Sequence, residues 1–387
     1  MRIFLLNILV LVGLVAKSQV VVHVHLVSKM NGDHDMEDGS STHFWGYGYW
    51  LEGANNRASL PAPYLEFNEG DSVVIHFNNE SAEDHTIHLH GLDVDQANDG
   101  VPTTSFSIPQ NDSTNYSFRA THSGNYLYHC HVSTTQHLAM GMYGMIHVHA
   151  SDSQLYEGGP TFTEDYHYLA SDMDRDWNDF PISPGPFHLY DANYFMVNGL
   201  SGSMIIDDTT EHVYGIIEDT ILLNLANIGY DKIEYIFPVE LNAEVHMSDG
   251  RVLPNVLDQD VLEVFPGERY SVLLLPESEF EGQIEVKYNR MFNDLDHGVN
   301  YIPVHIDDLS STEDLEVDNG LKYYVEEGIV YVNNSKEGLN YTLFDVNGRL
   351  LDSGELMTGT NQIDIEGLSV GVYFIGTARG VIKLVKD

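Results

Sequence analysis

Two stretches decide how this chain reads: His85-Thr86-Ile87-His88-Leu89-His90-Gly91, and Tyr128-His129-Cys130-His131 followed by His137 and Met142. In an extended strand successive side chains point to opposite faces. His88 and His90 therefore share a face, as do His129 and His131, while Cys130 points to the other side. One strand can in this way serve a metal on each face. A thiolate, two imidazoles and a weak axial thioether make the trigonal donor set of a blue copper centre. His85, Cys130, His137 and Met142 supply that set, and the imidazoles flanking Cys130 are left to hold copper on the far side. Zinc is the alternative ion, but structural zinc sites use more cysteines. Cys130 is the single cysteine of 387 residues, so no internal disulfide can claim it.

Working outward, residues 65–67, 73–77, 116–118, 124–128 and 143–148 alternate or run apolar between turn signals and read as short strands. A second series follows at 194–197, 220–225, 232–237, 261–265 and 270–275. Its turn Phe265-Pro266-Gly267-Glu268 parallels the earlier Phe67-Asn68-Glu69-Gly70-Asp71, a weak internal repeat. Many short strands with frequent turns predict an all-β chain of sandwiches. The expected organisation is a signal peptide at 1–18, a copper-binding domain at 19–152 and a second domain of the same kind at 153–308. A polar, acidic linker at 309–320 then leads to a small β-sandwich at 321–387. Residues 30–43, with Met and His among acids, read as a flexible loop or a copper-collecting segment.

The formal net charge of −42, from 59 acidic and 17 basic residues, excludes phosphate-binding surfaces and hence nucleic acid or anionic membranes as partners. It serves solubility, or it concentrates cations. The apolar run at 3–16 is short for a membrane span and no second run of that kind follows. The mature chain is therefore expected to be exported and to carry no membrane span.

The stretch 62–148 resembles a cupredoxin domain of the multicopper oxidases. It carries Asn68-Glu69-Gly70-Asp71, the His85–Gly91 motif, Asp99-Gly100-Val101-Pro102, then Tyr128–His131, His137 and Met142. The resemblance implies that His85, Cys130, His137 and Met142 hold a type 1 blue copper, with Met140 a poorer axial candidate. It implies that His88, His90, His129 and His131 belong to a type 2/type 3 cluster, and that Asp99 delivers protons beside it. The second unit resembles the family's middle domain at Tyr194-Phe195-Met196-Val197-Asn198-Gly199, but without a cysteine or an HxH pair it is expected to bind no blue copper. Its histidines (His167, His188, His212, His246, His297 and His305) read as structural or surface residues.

Two departures qualify the resemblance. His137 lies seven residues after Cys130 instead of the family's usual five; copper nitrite reductases also have a longer gap, yet those enzymes carry Asp where this chain has His88. The family's cluster also takes eight histidines from two domains, and this chain offers four. Two copies facing each other through their first domains would supply eight, which predicts an isologous homo-oligomer with the cluster at a subunit interface. The implied activity is laccase-like: one-electron oxidation of a phenol, an amine or a metal ion, coupled to reduction of oxygen to water. The alternatives are a nitrite reductase-like enzyme and a non-enzymatic blue-copper carrier or copper-binding protein. Two further pairs, His23-Val24-His25 and His147-Val148-His149, would make an extra metal site if their strands were neighbours. Finally, Tyr341–Arg349, Asn361–Ile365, Gly371–Phe374 and the basic end Lys383–Lys386 resemble the sorting domain read by the type IX secretion machinery. This implies export to the medium or the outer cell surface.

Overall fold

The computed structural model describes residues 21–181, 185–308, 315–317, 321–326, 329–334, 339–345, 349–365, 367–368, 371–377 and 380–386. The expected signal peptide and most of the expected linker lie outside them. The chain forms two compact units, 1–308 and 309–387. Among the described residues no helix is long and apolar enough to cross a membrane.

The first unit begins with eight strands: β1 (Val21–Asp35), β2 (Ser41–Tyr49), β3 (Leu65–Asn68), β4 (Ser72–Asn79), β5 (His88–His90), β6 (Ser113–Arg119), β7 (Gly124–His129) and β8 (Tyr143–His149). They make two four-stranded sheets, ordered β2-β1-β4-β6 and β3-β8-β7-β5. The alternation read at 73–77 is that of a half-buried strand. Val73, Ile75 and Phe77 point inward while Val74 and His76 face outward. β7 is buried on both faces, because the second sandwich packs behind it. Between the sheets lie Tyr47, Phe67, Ile75, Phe77, Ile87, Tyr116, Tyr128 and Cys130. Each isoleucine or phenylalanine among them contributes roughly 1.5–3 kcal/mol on leaving water.

Eleven more strands complete this unit. They are β9 (Glu164–Met173), β10 (Tyr194–Val197), β11 (Val213–Ile216), β12 (Ile221–Asn227), β13 (Lys232–Ile236), β14 (Glu244–Ser248), β15 (Arg251–Asp258), β16 (Val261–Val264), β17 (Arg269–Leu274), β18 (Phe280–Asn289) and β19 (Asp296–Asp307). Their sheets run β10-β9-β12-β17-β14-β15 and β11-β19-β18-β13-β16. The turns that looked repeated are built alike. In the first, Asn68 N–H donates to Asp71 Oδ2 at 2.8 Å; in the second, Phe265 N–H donates to Glu268 Oε2 at 2.8 Å. Each places a glycine, Gly70 or Gly267, at positive φ, where glycine alone costs nothing. A shared apolar cluster, including Phe44, Leu127, Tyr143, Met145, Leu169, Met173 and Met196, joins the two sandwiches.

The second unit has two four-stranded sheets. One holds Leu315–Val317, Leu321–Glu326, Ile329–Asn334 and Gly359–Asp364; the other holds Leu339–Asp345, Leu350–Leu356, Gly371–Thr377 and Gly380–Lys386. Residues 315–317, inside the segment read as a linker, form an edge strand against Leu321–Tyr323.

Two expectations are corrected. Residues 30–43 are not a loop: β1 runs through Asp35 and β2 resumes at Ser41, paired from Asp35↔Ser41 to Leu26↔Tyr49. The polar sequence hid this because the outer half of the hairpin exposes alternate residues, with Met36 and Phe44 buried as its anchors. Nor can His23/His25 and His147/His149 share a site, since β1 and β8 belong to different sheets.

Candidate metal centres

Two groups of potential ligands meet among the described residues: His85, Cys130 and His137, and His88, His90 and His129. They are separated by one peptide bond. β7 ends at His129, and Cys130 turns into the core while its N–H donates to Met142 O at 3.1 Å.

In the first group, Cys130 Sγ lies 3.6 Å from His85 Nδ1 and 3.1 Å from His137 Nδ1. All three side chains are fully buried. The long Cys130-to-His137 spacing is taken up by a single short helix, α1 (Thr134–Ala139). Its turn brings His137 back over the thiol. Met142 and Met140 are buried in the same core cluster as Cys130. Burial holds His85 down to about 3, with the neighbouring His137 adding to the effect, and holds His137 down to about 4. Both rings are thus neutral bases at ordinary pH, the form that binds metal. Burial pushes the Cys130 thiol up. The Nε2 atoms of His85 and His137 are buried without a hydrogen bond, although Glu83 Oε2 stands 3.4 Å from that of His137. Two buried imidazoles aimed at one thiol, with little else to bind them, fit a soft metal ion.

In the second group, β5 pairs with β7 so that His88 lies opposite His129 and His90 opposite Leu127. His88 Nδ1 is 2.7 Å from Asp99 O, and His129 Nδ1 is 2.9 Å from Cys130 O. A carbonyl oxygen can only accept, so both Nδ1 atoms carry the hydrogen and both Nε2 atoms keep a lone pair. That is how outer partners orient ligating imidazoles. His90 Nδ1 approaches His129 Nε2 at 3.2 Å. His131 lies at the rim, its ring 5.1 Å from His88 and 6.0 Å from His129. Burial lowers His88; it takes His129 down to about 3, and with the Arg269 charge it takes His90 to about 4. Asp99 Oδ1 is 3.4 Å from His88 Nδ1. The loop carrying it is held close by Gly100, at φ +75°, where a Cβ would strike Ile87 O.

Several residues of this region gave no readable signal. Thr86 Oγ1 accepts from the His131 N–H at 2.9 Å. Trp45 sets its ring edge against His137 at 5.4 Å. Arg269 and Gly267 of the second sandwich close over His90: a Cβ on Gly267 would come within 3.2 Å of the His90 ring, and Arg269 lies against Gly91. The turn visible in sequence as a repeat is therefore a cover for the histidine face. The other second-sandwich histidines stay away from both groups. His212 pairs with His305 at 3.0 Å, His297 with Asp231 at 2.6 Å and His246 with Glu244 at 3.0 Å.

Residues 52–153 match the family model of the multicopper oxidases, and residues 326–387 match the secretion system C-terminal sorting domain. Laccase-2 of Cryptococcus neoformans var. grubii is 38% identical over 117 residues, 29% of this chain and 19% of that protein. The copper-containing nitrite reductase of Neisseria gonorrhoeae is 25% identical over 227 residues, 56% of this chain and 53% of that protein. The chain thus spans about a fifth of the laccase and about half of the nitrite reductase. A solved blue copper oxidase from Nitrosomonas europaea shares the fold, with a TM-score of 0.60 at 24% identity over 74% of this chain and 86% of that one. The fold is thus a pair of cupredoxin-like sandwiches. Residues 52–153 are similar to a multicopper oxidase domain, and residues 326–387 to a secretion-system sorting domain.

Proposed function

We propose that this protein is an exported, laccase-like copper oxidase that takes single electrons from a small reducing substrate (a phenol, an amine or a metal ion) and reduces oxygen to water. The observation that carries this reading is the placement of Cys130. Its thiol sits between two neutral imidazoles in the core, and the imidazole of the preceding residue belongs to the second group. Copper bound at the two groups would supply one-electron transfer at the first and oxygen binding at the second. His85, Cys130, His137 and Met142 would hold the type 1 copper; His88, His90, His129 and His131 would hold the type 2/type 3 copper. Loading requires the Cys130 thiol to give up its proton, and burial disfavours that step until a cation is present. The Asp99 carboxylate beside His88 is placed to hold and pass protons at the edge of the second group.

The second group has one covered side and one open side. Gly267 and Arg269 lie over His90, which like His88 and His131 remains partly buried. A second copy of the chain facing that open side would bring the family's total to eight histidines. We therefore place the subunit contact there, between first domains. The sorting domain directs the chain to the type IX machinery and so to the medium or the outer cell surface. A second reading, a nitrite reductase-like enzyme with one additional copper, is favoured by the relatives whose match covers 56% of this chain, more than one sandwich.

Copper per chain, the visible spectrum and oxygen uptake on a phenolic substrate separate these readings. An intense blue band, more than about two coppers per chain and oxygen uptake support the oxidase. About two coppers with turnover of nitrite and none of oxygen support the reductase. A blue band with about one copper and no turnover leaves an electron carrier.

A further inference from the structure

The histidines on the outer face of the first sandwich are not explained by either group above. β1 and β4 are parallel neighbours with His25 opposite His76, and β4 pairs with β6 so that His76 lies opposite Asn115. By alternation, His23 and His25 share the solvent face of β1. His76 shares that of β4, whose other face, Val73, Ile75 and Phe77, packs the core around Cys130. Three imidazoles therefore converge on an exposed sheet surface. The His25 and His76 rings lie 4.3 Å apart and those of His23 and His76 5.2 Å apart, each pair within 14° of parallel. His23 Nδ1 stands 2.9 Å from His76 Nε2. Two nitrogens bound at about 2.0 Å to one ion stand roughly 2.9–3.4 Å apart, so this hydrogen-bonded pair stands at the lower edge of that range.

The orientation of His76 is fixed from behind. Its Nδ1 donates to Asn115 Oδ1 at 2.8 Å, which leaves the Nε2 lone pair aimed at His23. This is the arrangement that outer partners give to ligating histidines, and it repeats what Asp99 O does for His88. His25 is exposed beside Trp50, ring centroids 6.1 Å apart, with its ring stacked 4.3 Å from that of His76. The surrounding field favours a cation, since the chain carries 59 acidic residues against 17 basic ones.

We propose that His23, His25 and His76 form a surface site for a borderline divalent transition-metal ion, of the Cu2+ or Zn2+ class, separate from the two groups at Cys130. Nitrogen-only donors at an open surface suit such ions and not Ca2+ or Mg2+, which take oxygen ligands.

The test titrates the full-length, copper-loaded protein with Zn2+ by calorimetry after excess copper is removed. One further zinc ion per chain is expected. His76→Ala and His23→Ala should each weaken it at least about tenfold, and Asn115→Leu should weaken it by about that factor through loss of the outer partner. His149→Ala, on the other sheet, should leave it unchanged. An unaltered blue spectrum reports that the variants are folded. No additional zinc, or an affinity that survives His76→Ala, overturns the site and leaves a hydrogen-bonded imidazole stack. If no blue band forms in any variant, the reading of Cys130 fails, while the difference between wild type and His76→Ala still decides this one.

Discussion

The two sandwiches of the first unit are built alike and filled differently. Both turn on a glycine at positive φ and lock that turn with a side-chain carboxylate three residues on. The interior of the second is closed with Leu223, Leu225, Tyr235, Val272, Val286 and Tyr288. The first places Cys130, His85 and His137 among its apolar residues. Burying two imidazoles and a thiol costs several kcal/mol unless something binds them. Among the described residues, only the first copy of the scaffold gathers two imidazoles and a thiol into one group, and the candidate metal centre lies there. The second sandwich acts as a support that covers the His90 side.

The largest effect that can break this contrast is at Cys130. Cys130→Ser should abolish the blue absorption and oxygen uptake together, since a hydroxyl offers no soft thiolate; an absorption spectrum decides it. His129→Ala acts one residue away on the opposite face. The blue band should persist while copper content drops and oxygen uptake falls by at least about a hundredfold, the upper range for losing even an outer partner of a metal ligand. Loss of the blue band in this variant would mean that the two faces are not separate. Asp99→Asn should keep the metals, because His88 is held by the Asp99 backbone carbonyl, and slow turnover about a hundredfold. Full activity would leave Asp99 a turn residue.

The second sandwich sharpens the comparison from the other side. Leu223 is 1% exposed in its core. Leu223→Ala should cost about 2 kcal/mol or more in unfolding free energy with the blue spectrum intact. Thermal denaturation and absorption on one sample check both halves. A bleached blue band in a folded variant would show that the scaffold tunes the site.

Most of the fold was legible in the sequence where one face is buried. The alternation at 73–77 and the apolar run at 124–128 appear as β4 and β7. The hairpin of β1 and β2 was not, because its outer half presents acids and histidines on the exposed positions of a real strand, and polarity alone reads as loop. The six candidate ligands that the fold gathers into two groups were legible because they cluster at strand spacing. What surrounds them was not. Arg269 lies 179 residues from His90 in the sequence and reaches it only through tertiary packing, and Trp45 carries no pattern that ties it to His137. Contacts made across sheets leave no periodicity.

The smallest expected effect concerns the seam between the sandwiches. His147 is 3% exposed, and Asn224 of the second sandwich approaches its Nδ1 at 3.3 Å. Burial, reinforced by His149 and His167, pushes it down to about 3, whereas an unfolded histidine titrates near 6.5. Below that value the unfolded chain takes up a proton that the folded chain refuses. Stability from this residue is therefore complete above about pH 6.5 and is lost as the pH falls toward 3. At pH 5 the loss is about 2 kcal/mol. His149 works the other way: its hydrogen bond to Glu66 raises it, so it adds stability on the acid side. The comparison must therefore be made between wild type and His147→Asn, both without copper, so that every other histidine cancels. His147→Asn should be somewhat less stable at pH 7 and should lose less between pH 7 and pH 5, by about 2 kcal/mol in denaturant unfolding. Parallel slopes would show that His147 is protonated in the folded chain and that the seam is wetter than its burial implies.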